Sequence, residues 1–237
     1  MKTINGAVLH GLVNSVYLNG IINEAVLTFK RGEAFIQAID PSNSLFVSNV
    51  IDIETVDDMK LGISDLGLLT KILQGNEQVQ YELSTKEDKQ WMKFKLPQKG
   101  SIKLLLTDPE QISTAVENDE AGDNLLKDYK TALGLGKDVL AKLTYFIELL
   151  KPVSVLITIK KGVVYATSNQ KSDKQFKVKL GKVEDAEDTS TEIYSEHLLS
   201  ALKLVEEEAE LDIKDKDNPI LLIQENCIWA FSPISEE

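Results

Sequence analysis

The chain holds few residues of the kinds that perform covalent chemistry. Its 237 residues include two histidines, His10 and His197, and one cysteine, Cys227. A nucleophile–histidine–carboxylate triad needs one imidazole beside a Ser or Cys and an acid. The two histidines lie in unlike contexts, and no such grouping is legible around either. Cys/His spacing of the zinc-binding kind is absent. Gly134-Leu135-Gly136-Lys137 has the look of a phosphate loop, but Asp138 follows the lysine where Ser or Thr is required, and no earlier glycine stands at the right distance. It reads as a tight turn ahead of a helix. Asp57-Asp58 and Glu206-Glu207-Glu208 could attract a cation, yet runs of this sort are usually solvated faces or strand edges. The expectation is a protein that is not an enzyme and needs no cofactor and no metal.

Charge excludes a second class at first sight. Acidic residues number 38 against 26 basic ones, a net charge of −12. A protein coated for phosphate contact is normally basic, so what matters is where the lysines lie. No apolar run is long enough to span a membrane. The N-terminal stretch from Met1 to Gly6 lacks the apolar centre of a signal peptide. A single cysteine builds no disulfide framework and fits a reducing compartment, so an intracellular location is expected.

The elements that must position any site come in two copies. Residues 20–40 and 150–169 each consist of two β-branched runs around a basic-Gly turn, Lys30-Arg31-Gly32 in one and Lys160-Lys161-Gly162 in the other. Leu68-Leu69 with Ile72 recurs as Leu198-Leu199 with Leu202 at the same offset of about 130 residues. Such a repeat predicts two similar domains, 1–108 and 126–237, joined by a polar, acidic connector over 109–125.

Hydrophobic spacing predicts a helix over residues 6–18 and another from a Ser64 or Asp65 cap to Leu73. Helices are also expected over 137–150 and from Ser195 to about Val205. Strands are expected near 24–30, 34–40, 45–52, on both sides of a turn at 86–89, and over 101–106. In the second copy they fall at 130–135, 154–160, 163–168, 174–180, 209–214, 220–224 and 227–231, with an acidic loop at 184–191. The strand at 130–135 has no evident counterpart at Met1. Short hairpins rather than helical crossovers make the class α+β with antiparallel sheets.

Several segments resemble the sliding DNA clamps, the proliferating cell nuclear antigen family. Residues 35–47, FIQAIDPSNSLFV, are similar to that family's strand–turn–strand segment. Residues 229–237, WAFSPISEE, are similar to its C-terminus, Asp108 to Ile112 to the start of its interdomain connector, and Asn218-Pro219-Ile220 to the opening of a late strand. The resemblance runs the length of the chain in order. Asn43 stands where the family usually has His, which points toward a viral or phage clamp.

The resemblance implies a homotrimeric ring of two-domain subunits around double-stranded DNA. Helices would line the hole, with Lys71, Lys137, Lys142 and Lys203 as the bases facing DNA. Residues 6–18 carry no Lys or Arg, a departure that weakens the implied grip. Ring closure would pair the strand holding Ser101, Ile102, Lys103 and Leu104 with the next subunit's strand holding Lys174, Phe176, Lys177 and Val178. A partner-peptide pocket is implied at Ile39, Asn43, Phe46, Ile112, Pro219, Phe231, Pro233 and Ile234, with Ser44 replacing a usual apolar residue. The implied partners are a DNA polymerase and an ATP-dependent clamp loader, and the implied role is that of a processivity factor. A subunit of a heterotrimeric checkpoint-type clamp is the nearest alternative. An acidic α+β enzyme or small-molecule binder with an accidental repeat is the more distant one.

Overall fold

The computed structural model describes residues 2–53, 57–86, 88–96, 100–113, 129, 131–168, 174–184 and 186–234. The chain divides into two compact units: residues 1–41 with 47–117, and residues 42–46 with 118–237.

The first unit runs β1 (Lys2–Asn5), α1 (Gly6–Tyr17), β2 (Ala25–Lys30), β3 (Glu33–Ile39), β4 (Leu45–Asp52), β5 (Met59–Ile63), α2 (Leu66–Leu73), β6 (Gln78–Lys86), β7 (Lys89–Leu96) and β8 (Gly100–Thr107). Its strands are ordered β1-β6-β7-β8-β5-β2-β3-β4. The second runs β9 (Ala132–Gly136), α3 (Lys137–Leu150), β10 (Ser154–Lys160), β11 (Val163–Ser168), β12 (Lys177–Lys182), β13 (Thr189–Tyr194), α4 (Ser195–Leu202), β14 (Glu208–Asp212), β15 (Ile220–Gln224) and β16 (Cys227–Phe231). Here the orders are β9-β14-β15-β16 and β13-β10-β11-β12. Eight strands and two helices of one unit therefore answer one for one to those of the other, and every registered strand pair is antiparallel.

The repeat is visible down to single hydrogen bonds. Arg31-Gly32 and Lys161-Gly162 both have positive φ, the geometry that a two-residue hairpin turn demands. Asp58 Oδ1 accepts from the Arg31 amide at 3.0 Å, and Asp188 Oδ1 accepts from the Lys161 amide at 2.6 Å. The amides of Ile53 and Val183 each donate at 2.8 Å to the turn glycine's carbonyl. One half of the Asp57-Asp58 pair is thus a turn clamp, and Asp57 pairs with Lys2.

Each helix lays an apolar stripe on its sheet. In α1 this is Leu9, Leu12, Val13 and Val16, and in α3 it is Leu140, Leu143 and Ile147. Two starts are capped by side chains: Asn5 accepts from Ala7 and Val8, and Asp65 accepts from Leu68.

The α+β antiparallel class and the four helices stand as expected. Three strands were not foreseen. β1 is the counterpart of β9 that the N-terminus was thought to lack, and it pairs with β6. β5 pairs with β2 along its whole length. β13 begins inside the expected acidic loop, because β10 supplies a registered partner from Ser154 to Ile159. The strand expected from Lys174 starts only at Lys177, and the helix expected to reach Val205 ends at Leu202. Of the connector over 109–125, a 3-10 turn at Pro109–Gln111 and Ile112 are placed, and 114–125 lie outside the described residues.

Candidate nucleic-acid interface and open strand edges

The solvent faces of the helices carry few bases. α1 exposes Ala7, Val8 and Gly11 and carries no Lys or Arg. α2 exposes Lys71 in its last turn, where the negative end of the helix dipole favours a cation. On α3, Lys137 and Lys142 are exposed, with Asp138 beside the first. Lys203 closes α4, and its Nζ lies 2.7 Å from Glu148 Oε1 on α3. Three of the four sequence-derived bases therefore stand in solvent unpaired by any carboxylate among the described residues. The fourth is half neutralised. Lys151, at the C-terminal cap of α3, is a further exposed base that sequence reasoning passed over.

Acidic surface lies elsewhere in the second unit. A depression of about 830 Å³ along β14 is bordered by Glu206, Glu207, Glu208, Glu210 and Glu225. Its carboxylates repel phosphate.

Two strand edges are open. β8 pairs with β7 from Gly100 to Leu106, but its other side meets β5 only at Leu106 and Thr107. The edge at Ser101, Ile102, Lys103 and Leu104 has no partner strand among the described residues. β12 ends its sheet, pairing with β11 alone. Within β12 and just before it, Phe176 and Val178 point inward, and Phe176 stacks on Phe146 at 5.8 Å. Lys177 lies over the Tyr165 ring at 4.1 Å, and Lys174 is exposed ahead of the strand.

β16 answers to β8, and β4 answers to β12. In the second unit the Ser232 amide, just after β16, donates to the Ser44 carbonyl at 2.9 Å.

Solved structures share this fold. The chain is similar to a putative DNA polymerase III beta subunit from Eubacterium rectale, with TM-score 0.76 and 14% identity, over 99% of this chain and 65% of that one. It is similar to the PCNA2-PCNA3 complex from Sulfolobus tokodaii, with TM-score 0.68 and 16% identity, over 98% of each chain. A. fulgidus PCNA, solved bound to the C-terminal region of FEN-1, matches with TM-score 0.70 and 13% identity over 99% of this chain and 98% of that one. The fold is that of a sliding DNA clamp. At these identities the likeness is one of fold, and the chain spans about two thirds of the length of the bacterial beta subunits. No family model and no curated protein matches the chain.

On this clamp fold the residues named for a partner pocket are divided between the units. In the first unit, Ile39 is half-buried, and Ile112 is only 5% exposed behind the Pro109–Gln111 turn. In the second unit, the segment around Asn43 and the segment after β16 come together. Ser232 Oγ donates to the Asn43 carbonyl at 3.2 Å, and the Ile234 amide donates to Glu192 at 2.8 Å. Asn43 is exposed, in the left-handed region at φ 57. Phe46 and Phe231 are buried and serve as core, whereas Pro219, Pro233 and Ile234 stay half-buried. Within the second unit the accessible apolar surface of this group is therefore carried by the two prolines and Ile234.

One contact escaped sequence reasoning altogether. Ser44 Oγ lies 3.3 Å from His197 Nδ1 and 2.7 Å from Ser42 Oγ. The Ser44 side chain is buried. The contact holds the 42–46 segment against α4. No group of three or more metal-ligating side chains occurs among the described residues, and no helix there is long and apolar enough to cross a membrane.

Proposed function

We propose that this chain is a non-enzymatic sliding clamp that encircles duplex DNA as a homotrimer and tethers a DNA polymerase as its processivity factor. The observation that carries the reading is the pair of open edges. β8 leaves the edge at 101–104 without a partner strand among the described residues, and β12 pairs with β11 alone. Pairing β8 of one copy with β12 of the next would cover both edges. Exposed edges favour such addition, and a head-to-tail contact that closes gives a ring.

Inside the ring, Lys71, Lys137 and Lys142 would touch phosphates without reading bases, which leaves the ring free to slide. So few bases give weak affinity, and enclosure supplies the retention. Placement by an ATP-driven loader fits a ring that must open to admit duplex DNA. Partner proteins would dock on the half-buried apolar group at Pro219, Pro233 and Ile234.

A covalent seam tests this. Lys103→Cys and Lys179→Cys place one thiol on each open edge, while the native Cys227 is buried. Bridging them with a short bis-thiol crosslinker in the presence of plasmid should yield three times the 26.4 kDa chain mass, retained on circular DNA and released when it is cut. Crosslinked chains that leave circular and linear DNA equally fast contradict the proposal.

A further inference from the structure

The two open edges share a sign. The chain as a whole carries −12, yet three of the six residues of β12 are lysines: Lys177, Lys179 and Lys182. At the other edge, Lys103 of β8 stands directly opposite Lys93 of β7, with Lys95 one step along. None of these six makes an ion pair among the described residues. Lys177 rests on the Tyr165 ring, and Lys93 has Glu82 across the ladder on β6. Lysines have thus collected at both ends of the proposed seam.

We propose that the seam between copies is opposed by like charge, so that self-association of this chain tightens as ionic strength rises. The inference rests on the ring reading and concerns how that ring is regulated. Lys103 lies on the solvent face of its sheet, since Ile102 and Leu104 turn inward; Lys177 and Lys179 lie on the solvent face of theirs, since Val178 and Leu180 turn inward. A sheet continued across the seam keeps the two solvent faces together. Facing side chains on paired strands stand about 4.5–5.5 Å apart and diagonal ones about 7–8 Å. Lys103 sits in the middle of the open stretch, and lysines alternate along its partner. An overlap that pairs these stretches sets Lys103 opposite or diagonal to a lysine.

Backbone pairing across the seam does not depend on salt, but the repulsion does. The screening length falls from about 10 Å at 0.1 M to about 3 Å at 1 M. A seam held by its backbone and strained by its side chains opens easily, which suits a ring that must admit DNA. Edge lysines also discourage unwanted strand addition, so the same residues would keep the free chain from polymerising open-ended.

Sedimentation equilibrium of the full chain at 0.1 M and 1 M KCl tests this. The trimer's assembly constant is expected to rise on the order of tenfold with salt. Because salt also strengthens apolar contacts, the decisive variant is Lys103→Glu. It should assemble more tightly than the parent at 0.1 M and show a flattened salt dependence. Lys179→Glu should do the same, and the double variant should give back part of the gain because Glu then faces Glu. Both sites are exposed, and circular dichroism would confirm folding. A trimer that is equally or less stable at 1 M, with Lys103→Glu no tighter than the parent, overturns the repelled seam and leaves the ring standing. A monomer in every variant and every salt overturns the ring and the seam together.

Discussion

Lys203 Nζ and Glu148 Oε1 lie 2.7 Å apart, joining the end of α4 to the last turn of α3. Both side chains remain nearly half exposed, so the pair contributes under about 1 kcal/mol to stability. Its larger effect is on the field of the helix face, where it cancels one of the few bases available to a phosphate. Glu148→Gln removes the anion and frees the lysine. Non-specific duplex binding should then strengthen a few-fold, with the salt slope steeper by up to about 1. Anisotropy titrations across a salt series measure this, and an unchanged slope would place Lys203 away from DNA.

That ion pair spans 55 positions and was invisible in the sequence. What was legible follows from local physics. β4, β15 and β16 are apolar runs bounded by turn residues, and the exposed lysines of α3 follow from the spacing of its apolar stripe. The missed strands have little signal of their own. β1 is four residues, and β13 reads TSTEIY behind a run of acids. Each is a strand because β6 or β10 supplies a registered partner, a tertiary effect that outweighs propensity. The Ser44–His197 contact and the burial of Ile112 likewise depend on chain reversals that no local pattern encodes. The two open edges could be named in advance because the resemblance implied a ring of duplicated units. Their shared charge needed the sheet faces to be known.

Asp212 offers a test of pH dependence. Burial, then the neighbouring Glu210 carboxylate, pushes its carboxyl up from 3.8 to about 6. The folded state therefore holds a proton that the unfolded chain releases near pH 4. Stability from this group is present below that value and declines as pH rises through about 6, so the cost is in full force at neutral pH. Asp212→Asn removes the charge and should gain on the order of 2 kcal/mol relative to the parent at pH 7.5, with no gain at pH 4. Thermal melts at the two pH values check it, and an equal gain at both would show that titration is not the cause.

Gly62 anchors the far end of β8. It pairs with Thr107, and a Cβ built on it would lie 2.3 Å from the Thr107 carbonyl oxygen, which is backbone and has no rotamer to yield. Gly62→Ala should therefore destabilise the first unit by about 2–3 kcal/mol and weaken assembly at the adjoining open edge. Gly134→Ala is the control, since a Cβ there meets open space, and it should fall within about 0.5 kcal/mol of the parent. Denaturant midpoints measured alongside trimer mass separate the two effects. A Gly62→Ala chain as stable as the parent would mean that β8 shifts freely against β5.

Lys71 and Lys142 carry the most direct test of the DNA-facing role. Both are exposed, and neither makes an ion pair among the described residues. Reversing Lys71 opposes the dipole at the C-terminus of α2 and costs about 0.3–1 kcal/mol, too little to unfold the unit. Lys71→Gln, which removes charge without reversing it, should fall midway. If the helices face the phosphates, Lys71→Glu with Lys142→Glu should shorten the products of primer extension by the tethered polymerase. The salt slope of DNA binding should drop by about 1 for each lysine removed. Trimer mass should stay as it was, because neither residue lies on β8 or β12. Loss of processivity together with loss of the trimer would assign these lysines to assembly, and unchanged product length would reject the helical face as the surface that rides on DNA.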